Sequence, residues 1–435
     1  MTAIPPIRCE LCVIGSGIAG MGAALFAARQ GLATAVVGRT GEIIFTTGLL
    51  DLMAVHPVEK GVIWDDPWAC IAQLVQDQPQ HPYARIRPEK IRAALDGTAG
   101  FLGENGLAYS GQADRNTMVL TSIGTFKPTY RIPATMAAGI EAYRRKATCL
   151  LVDVKGLKGF SAAQIAATAG PSWPGLRAAR IEFPDVPAAN EVFAERMARA
   201  LEASANREKL AAAIRPHVQR AETVGLPAIL GMARPADVME DLQRRLNVKL
   251  FEIPTIPPGV TGLRLKEAFE RGLSRLGVRL CLENMVFQAE ANPAGGFRLY
   301  IGRSDREEVI EARAVILATG RFMGGGLRAD RSAVSEPLFN LPVYQPESRE
   351  LWHREDFFDP RGHAVNRAGL AVDADFRPLD ASGRPAHPRL FAAGSILAHQ
   401  DWMRMKCGSG LALSTAWAAV ESAKTELSKT YSIDP

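Results

Sequence analysis

The sequence predicts an α/β fold in which a discontinuous, Rossmann-like domain is interrupted by an inserted α/β cap domain. Three observations predict it. A glycine turn, "GSGIAG", stands between two apolar runs of strand length, "LCVIG" and "LATAVVG". Two strand-then-glycine segments, "VILATG" and "LFAAGS", stand in the C-terminal part of the chain. The residues between carry their own strand and helix patterns, and 435 residues exceed the ~250–300 that one core accommodates.

The first turn places Gly15, Gly17 and Gly20 in GxGxxG spacing, with Ser16 between the first two. An apolar strand precedes it and "AALFAARQ" continues it as a helix, which is the β-α-β context the motif requires. Gly15 permits the tight turn, Gly17 lets the backbone approach a pyrophosphate, and Gly20 lets helix and strand pack closely. The helix N-terminus then faces phosphate charge. An acid usually ends the second strand and binds a ribose hydroxyl. Here Gly38, Arg39 and Thr40 stand there, and Glu42 is the nearest acid. Arg39 either contacts a phosphate or is a solvated turn residue.

The C-terminal segments select the cofactor class. "EARAVILATGRF" is a buried strand ending in Ala318, Thr319 and Gly320. "PRLFAAGSILA" is another, ending in Gly394 and Ser395. "CGSGLALSTAWAAVESA" opens a helix at Gly408, Ser409, Gly410 and Leu411, whose N-terminus suits the negative charge of a reduced flavin. The ordered set resembles the two-dinucleotide-binding-domain flavoproteins related to the succinate dehydrogenase flavoprotein. That resemblance implies a Rossmann-like flavin-binding domain. It also implies that "TTGLLDLM" passes beside the isoalloxazine, with Thr46, Thr47 and Gly48 as contacts, although Thr and Gly also serve as ordinary helix caps. The backbone near Val286 is where such proteins meet adenine.

The expected flavin-binding domain takes residues 1–56, 259–335 and 364–435. The insert is 57–258, and 336–363 connect. Within the insert, "CLLVDVKGLKGF", "ARIEFPDV" and "VGLPAILGM" read as strands, "SAAQIAATAG" as a helix, and "LFEIPTIPPGVTGLRL" as a proline-rich crossing whose prolines fix an extended path.

Beyond the cofactor motifs, the chain resembles the B subunit of anaerobic glycerol-3-phosphate dehydrogenase. The carriers include "FTTGLLDLM", "QPQHPYARI", "SIGTFKPTYRIP", "PTIPPGVTGLRL", "EDFFDP" and "GLAVDADFRP", together with Ser395 and the Arg39–Thr40 turn. The resemblance implies oxidation of sn-glycerol 3-phosphate to dihydroxyacetone phosphate, with electrons passed towards quinone. It also implies two partners, an A-type flavoprotein subunit and a C-type iron–sulfur subunit that attaches the complex to the inner membrane. FMN is the flavin the family resemblance implies, whereas the dinucleotide motif suits FAD.

A hydride acceptor needs a base for the hydroxyl proton and a cation for the phosphate. Histidine titrates near neutrality, which makes His353, His363 and His399 the candidate bases. His399 follows Gly394–Ser395 and is the first choice, against an ordinary loop histidine. Arg264, Arg321, Arg404 and Lys406 are the candidate cations; Arg264 serves equally as a surface or helix-capping residue. Against this stands a reading as an electron-relay and docking module, since no paired carboxylates or His–Asp arrangement stand out. A free-standing reductase of the fumarate reductase type is a third reading.

Composition excludes other classes. A net charge of +5 without a basic tract argues against nucleic acid. No apolar run reaches the ~18–20 residues that span a bilayer. With no secretory pattern, the expectation is a cytoplasmic chain held at the membrane by its partners. Cys9 and Cys12 form a lone CxxC, so no metal site is expected, and a redox pair is the minor reading.

Overall fold

The computed structural model describes residues 5–39, 43–184, 191–292, 295–303 and 306–429. Contacts divide the chain into two compact units, one of Met1–Glu42, Asp51–Thr98 and Phe269–Pro435, the other of Ile43–Leu50 and Ala99–Ala268.

The first unit is built on a seven-stranded sheet. Its strands are β1 (Ile7–Ile14), β2 (Thr34–Gly38), β3 (Arg279–Leu282), β4 (Met285–Ala291), β5 (Phe297–Arg303), β6 (Arg306–Leu317) and β7 (Leu390–Ala392). The order is β3-β2-β1-β6-β5-β4, with β7 also on β6. Strand β6 has two kinds of partner. Its second half lies parallel to β1 and β7, and its first half is antiparallel to β5. The β1 residues Leu11–Ile14 are buried on both faces, which explains their unbroken apolar run. Helix α1 (Ile18–Arg29) follows the glycine turn, and a second helix, α2 (Pro67–Asp77), is capped by the Asp66 carboxylate. Helix α3 (Gly408–Ser428) packs on α1, with Trp417 edge-on to Phe26 at 4.9 Å.

Residues 57–98, expected in the insert, belong instead to the first unit. The reason is a set of bonds to distant elements. Tyr83 donates to the Leu52 carbonyl, Lys90 meets Glu421 at 2.6 Å, and Arg29 donates to the Gly97 carbonyl. Residues 336–363, expected as a connector, also lie in this unit, where Tyr344 bridges Gly369.

The second unit carries a fully parallel sheet. Its strands run Lys249–Ile253, Thr223–Pro227, Cys149–Val154 and Leu176–Ile181 in spatial order. Three of these follow the expected strands. The fourth, Lys249–Ile253, replaces the start of the expected proline-rich crossing, because Leu250–Ile253 are buried and hydrogen-bonded before the prolines begin. Residues 259–268, expected with the flavin-binding domain, belong here.

Candidate functional site

All parallel strands of the first sheet end at one edge, and that edge collects the glycine turns. The Gly15 amide donates to the Val37 carbonyl, the Ala318 amide to Ile14, and the Ala393 amide to Leu317. Gly15 sits at φ +119°, and a Cβ there would strike the Ala318 carbonyl. A Cβ on Gly20 would strike the Gly15 carbonyl, and one on Gly38 would lie 2.6 Å from the Ser16 amide nitrogen. The Ser16 hydroxyl donates to the Arg39 carbonyl at 2.6 Å. Gly17 is the N-cap of α1 in extended conformation. Arg39 is exposed, while Thr40 and Glu42 lie outside the described residues.

Thr319 and Gly320 continue from β6. The Thr319 hydroxyl is buried with no hydrogen-bond partner. Gly394, at φ +82°, packs against Ala19 and donates to the Thr415 hydroxyl of α3; Ser395 is half-buried beside it. The N-terminus of α3 begins at Gly408, Ser409, Gly410 and Leu411. The Ser409 hydroxyl accepts from the Asp51 amide at 2.7 Å, and the Gly410 amide donates to the Asp51 carbonyl at 2.6 Å. Val286 stands on β4 opposite Ile301, next to a bulge.

His399 adopts φ +65° and its ring lies 4.1 Å from that of Tyr344. Its amide donates to the Arg367 carbonyl. Burial, with Arg85 and Arg367 nearby, holds its pKa below the usual histidine value, so the ring is neutral at pH 7. Arg404 is half-buried and meets Asp401 at 3.4 Å. Arg321 spreads its guanidinium over the carbonyls of Ser395, Asn366 and Gln400, which ties down the loop carrying His399. His363 receives the Arg354 amide at one ring nitrogen and faces the Phe357 carbonyl with the other, so neither is left for a substrate proton. His353 is exposed.

Four sequence candidates lie in the second unit. The Thr46 hydroxyl donates back to the Ile43 carbonyl at the end of the short helix Ile43–Phe45, rather than accepting amides as an N-cap would. Thr47 is half-buried. Gly48 is at φ +77°, a Cβ there would lie 2.9 Å from Thr261 Cβ, and its carbonyl accepts from Tyr109 at 2.7 Å. Arg264 stands on the helix Val260–Arg275. It is buried in a bidentate pair with Glu252 (2.6 and 2.8 Å) and also donates to the Gly231 carbonyl. No local pattern marks that carboxylate as its partner, because the strand bearing it runs directly into the prolines.

The lone CxxC holds free thiols, and a hydrogen bond with Cys9, followed by burial, pushes the Cys12 thiol well above its ordinary value. No group of metal-ligating side chains occurs among the described residues. Nor, among them, is any helix long and apolar enough to cross a membrane.

The family described as FAD binding domain matches residues 10–411. A probable B subunit of anaerobic glycerol-3-phosphate dehydrogenase from Halobacterium salinarum (strain ATCC 29341 / DSM 671 / R1) is 33% identical over 429 residues, 95% of this chain and 97% of the relative. The chain belongs to the family of anaerobic glycerol-3-phosphate dehydrogenase B subunits. A B subunit of the same enzyme from Vibrio vulnificus (strain CMCP6) is 29% identical over 95% of this chain and 96% of its own. Among solved structures, 3-ketosteroid Δ1-dehydrogenase from Sterolibacterium denitrificans aligns over 96% of this chain and 100% of its own at 13% identity and TM-score 0.43. A flavocytochrome c3 fumarate reductase aligns over 98% and 79% at 10% identity and TM-score 0.43. The fold is that of the FAD-binding flavoproteins, and the cofactor class is a flavin.

The first unit's residues fit a flavin. The crowded glycine turns leave backbone rather than side chains at the sheet edge, and the orphaned Thr319 hydroxyl is a buried polar group awaiting a partner.

Proposed function

We propose that this chain is the flavin-holding component of a respiratory glycerol-3-phosphate dehydrogenase complex. Its reaction is the oxidation of sn-glycerol 3-phosphate to dihydroxyacetone phosphate, with electrons leaving through A-type and C-type partners towards quinone. The gathering of the Gly15, Thr319 and Gly394 turns at one sheet edge carries the reading. The relatives' names supply the substrate and the multi-subunit assembly. FAD is the proposed form, because the complete Gly15–Gly20 turn ahead of α1 suits a pyrophosphate. Arg39 in place of the usual acid leaves FMN as the alternative.

Bound flavin supplies the two-electron acceptor for the hydride leaving C2. Neutral His399 takes the hydroxyl proton, and Arg404 holds the phosphate. The first unit's residues alone carry this proposal. A docking and electron-relay role without substrate chemistry is favoured by one observation: the expected cations Arg264, Arg321 and Arg404 are engaged by the chain's own groups.

The test is to denature the purified protein, identify the released flavin by mass, and then add glycerol 3-phosphate anaerobically to the intact complex and to the isolated chain. Bleaching of the isolated chain's flavin supports oxidation here. A flavin that stays oxidised in the isolated chain but bleaches in the intact complex moves the chain to the relay role.

A further inference from the structure

The motif His81–Pro82–Tyr83 has no part in the reading above, yet the structure builds it into the neighbourhood of α3. Tyr83 is 1% exposed and its hydroxyl donates to the Leu52 carbonyl at 2.8 Å. The next residue back, Asp51, is the one held by Ser409 and Gly410 at the start of α3. The Tyr83 hydroxyl also stands so near the helix that a Cβ on Gly410 would lie 2.8 Å from it. On the other side, His81 caps the short helix Pro82–Arg85, its Nδ1 accepting the Tyr83 amide at 3.2 Å. His81 is itself completely buried.

We infer that Tyr83 is a positioning residue that sets the reduction potential of the bound flavin by clamping the Asp51–Leu52 backbone against the first turn of α3. This rests on the proposed flavin site. The physical reason is electrostatic. A helix N-terminus stabilises negative charge only over its first turn, and only while its amides keep a fixed direction. The Gly410 amide is fixed by Asp51, and Asp51 is fixed by its neighbour Leu52, whose carbonyl Tyr83 holds. Burial, with Cys407, Asp51 and Cys70 nearby, pushes the Tyr83 phenol well above its ordinary value, so it stays a donor at any working pH.

The experiment is Tyr83→Phe in the flavin-loaded protein, with the midpoint potential read by dye-coupled reductive titration. The control is Asp66→Ala, which removes the cap that accepts the Trp68 and Ala69 amides and so loosens the same segment away from α3. For Tyr83→Phe, the affinity for reduced relative to oxidised flavin is expected to fall about ten-fold, which is about 30 mV more negative for a two-electron couple. Asp66→Ala is expected to lower the melting temperature and leave the potential alone. An unchanged potential in Tyr83→Phe with flavin still bound overturns the inference and leaves the functional reading standing. Wild-type protein that takes up neither FMN nor FAD overturns both. Should Tyr83→Phe not fold, His81→Ala is read instead, with a smaller shift of the same sign expected; no shift overturns the inference.

Discussion

Arg264 and Glu252 face each other inside the second unit as a two-pronged ion pair, Nη1 to Oε2 at 2.6 Å and Nη2 to Oε1 at 2.8 Å. Thr135 and the Leu230 amide supply the carboxylate with two more donors. A buried pair of this kind is costly to break from one side, since the remaining charge is stranded. Arg264→Met alone is expected to destabilise the protein by about 3–5 kcal/mol. Adding Glu252→Gln is expected to recover part of that loss. Chemical denaturation of both variants checks the order.

The same carboxylate makes an acid-side prediction. Burial raises its pKa, but Arg264, Thr135 and Leu230 outweigh this and hold it below the usual 4.5. A depressed carboxylate stabilises the fold fully above its unfolded value and loses that contribution as pH falls through the folded value. The pair's contribution is therefore expected to fade below about pH 4.5. Denaturation midpoints measured from pH 6 downwards should fall more steeply in wild type than in the double variant.

His81 acts in a different window. Burial, then His56, Arg367, His399 and Arg85, lower its pKa to about 3, against 6.5 unfolded. Between these values the unfolded chain binds a proton that the folded chain refuses. Stability then falls as pH falls, by about 1.4 kcal/mol per pH unit from this one ring. His81→Asn keeps an acceptor for the Tyr83 amide without titrating. Its denaturation free energy is expected to vary less between pH 6.5 and 4 than that of wild type, and an equal slope would refute the assignment.

Thr319 gives a test of the flavin edge that needs no turnover. Its buried hydroxyl has no partner, so Thr319→Val is expected to leave the flavin-free protein as stable as wild type or more so. Flavin affinity is expected to fall by roughly 0.5–1.5 kcal/mol, the net worth of one hydrogen bond. Titration of flavin-free protein, followed by fluorescence quenching, reads both outcomes together with a melting curve.

His399→Ala is expected to lower turnover of the intact complex ~10²–10⁴-fold if this ring is the base. Since its folded pKa is lowered, the acid limb of kcat/KM should lie below 6.5 in wild type. Unchanged turnover excludes the ring.

The glycine turns are legible in the sequence because each is a local pattern: strand, glycine, helix within a few residues. The Gly15, Thr319, Gly394 and Gly408 segments accordingly stand where the sequence places them, at strand ends and a helix start. Long-range single bonds are not legible. Nothing near Tyr83 or Lys90 announces Leu52 or Glu421 as a partner, so residues 57–98 read as part of the insert although they pack in the first unit. Arg264 reads as a ligand cation because the strand bearing Glu252 is hidden against the prolines that follow it. "QPQHPYARI" is legible as a carrier of the family resemblance, but the bond from its tyrosine hydroxyl to Leu52 is not.

Strand β6, parallel to β1 and β7 and antiparallel to β5, has a consequence for biosynthesis. Arg8 on β1 meets Glu311 on β6 across 303 positions, and β7 joins later still. During synthesis at ~5–20 residues per second, β1 and its glycine turn leave the ribosome roughly 15–60 s before the strand that completes them. The apolar residues of β1 must be shielded through that interval, and the sheet edge with its glycine turns is completed only once β6 and β7 have emerged. Nascent chains arrested before residue 306 should therefore bind chaperones rather than flavin.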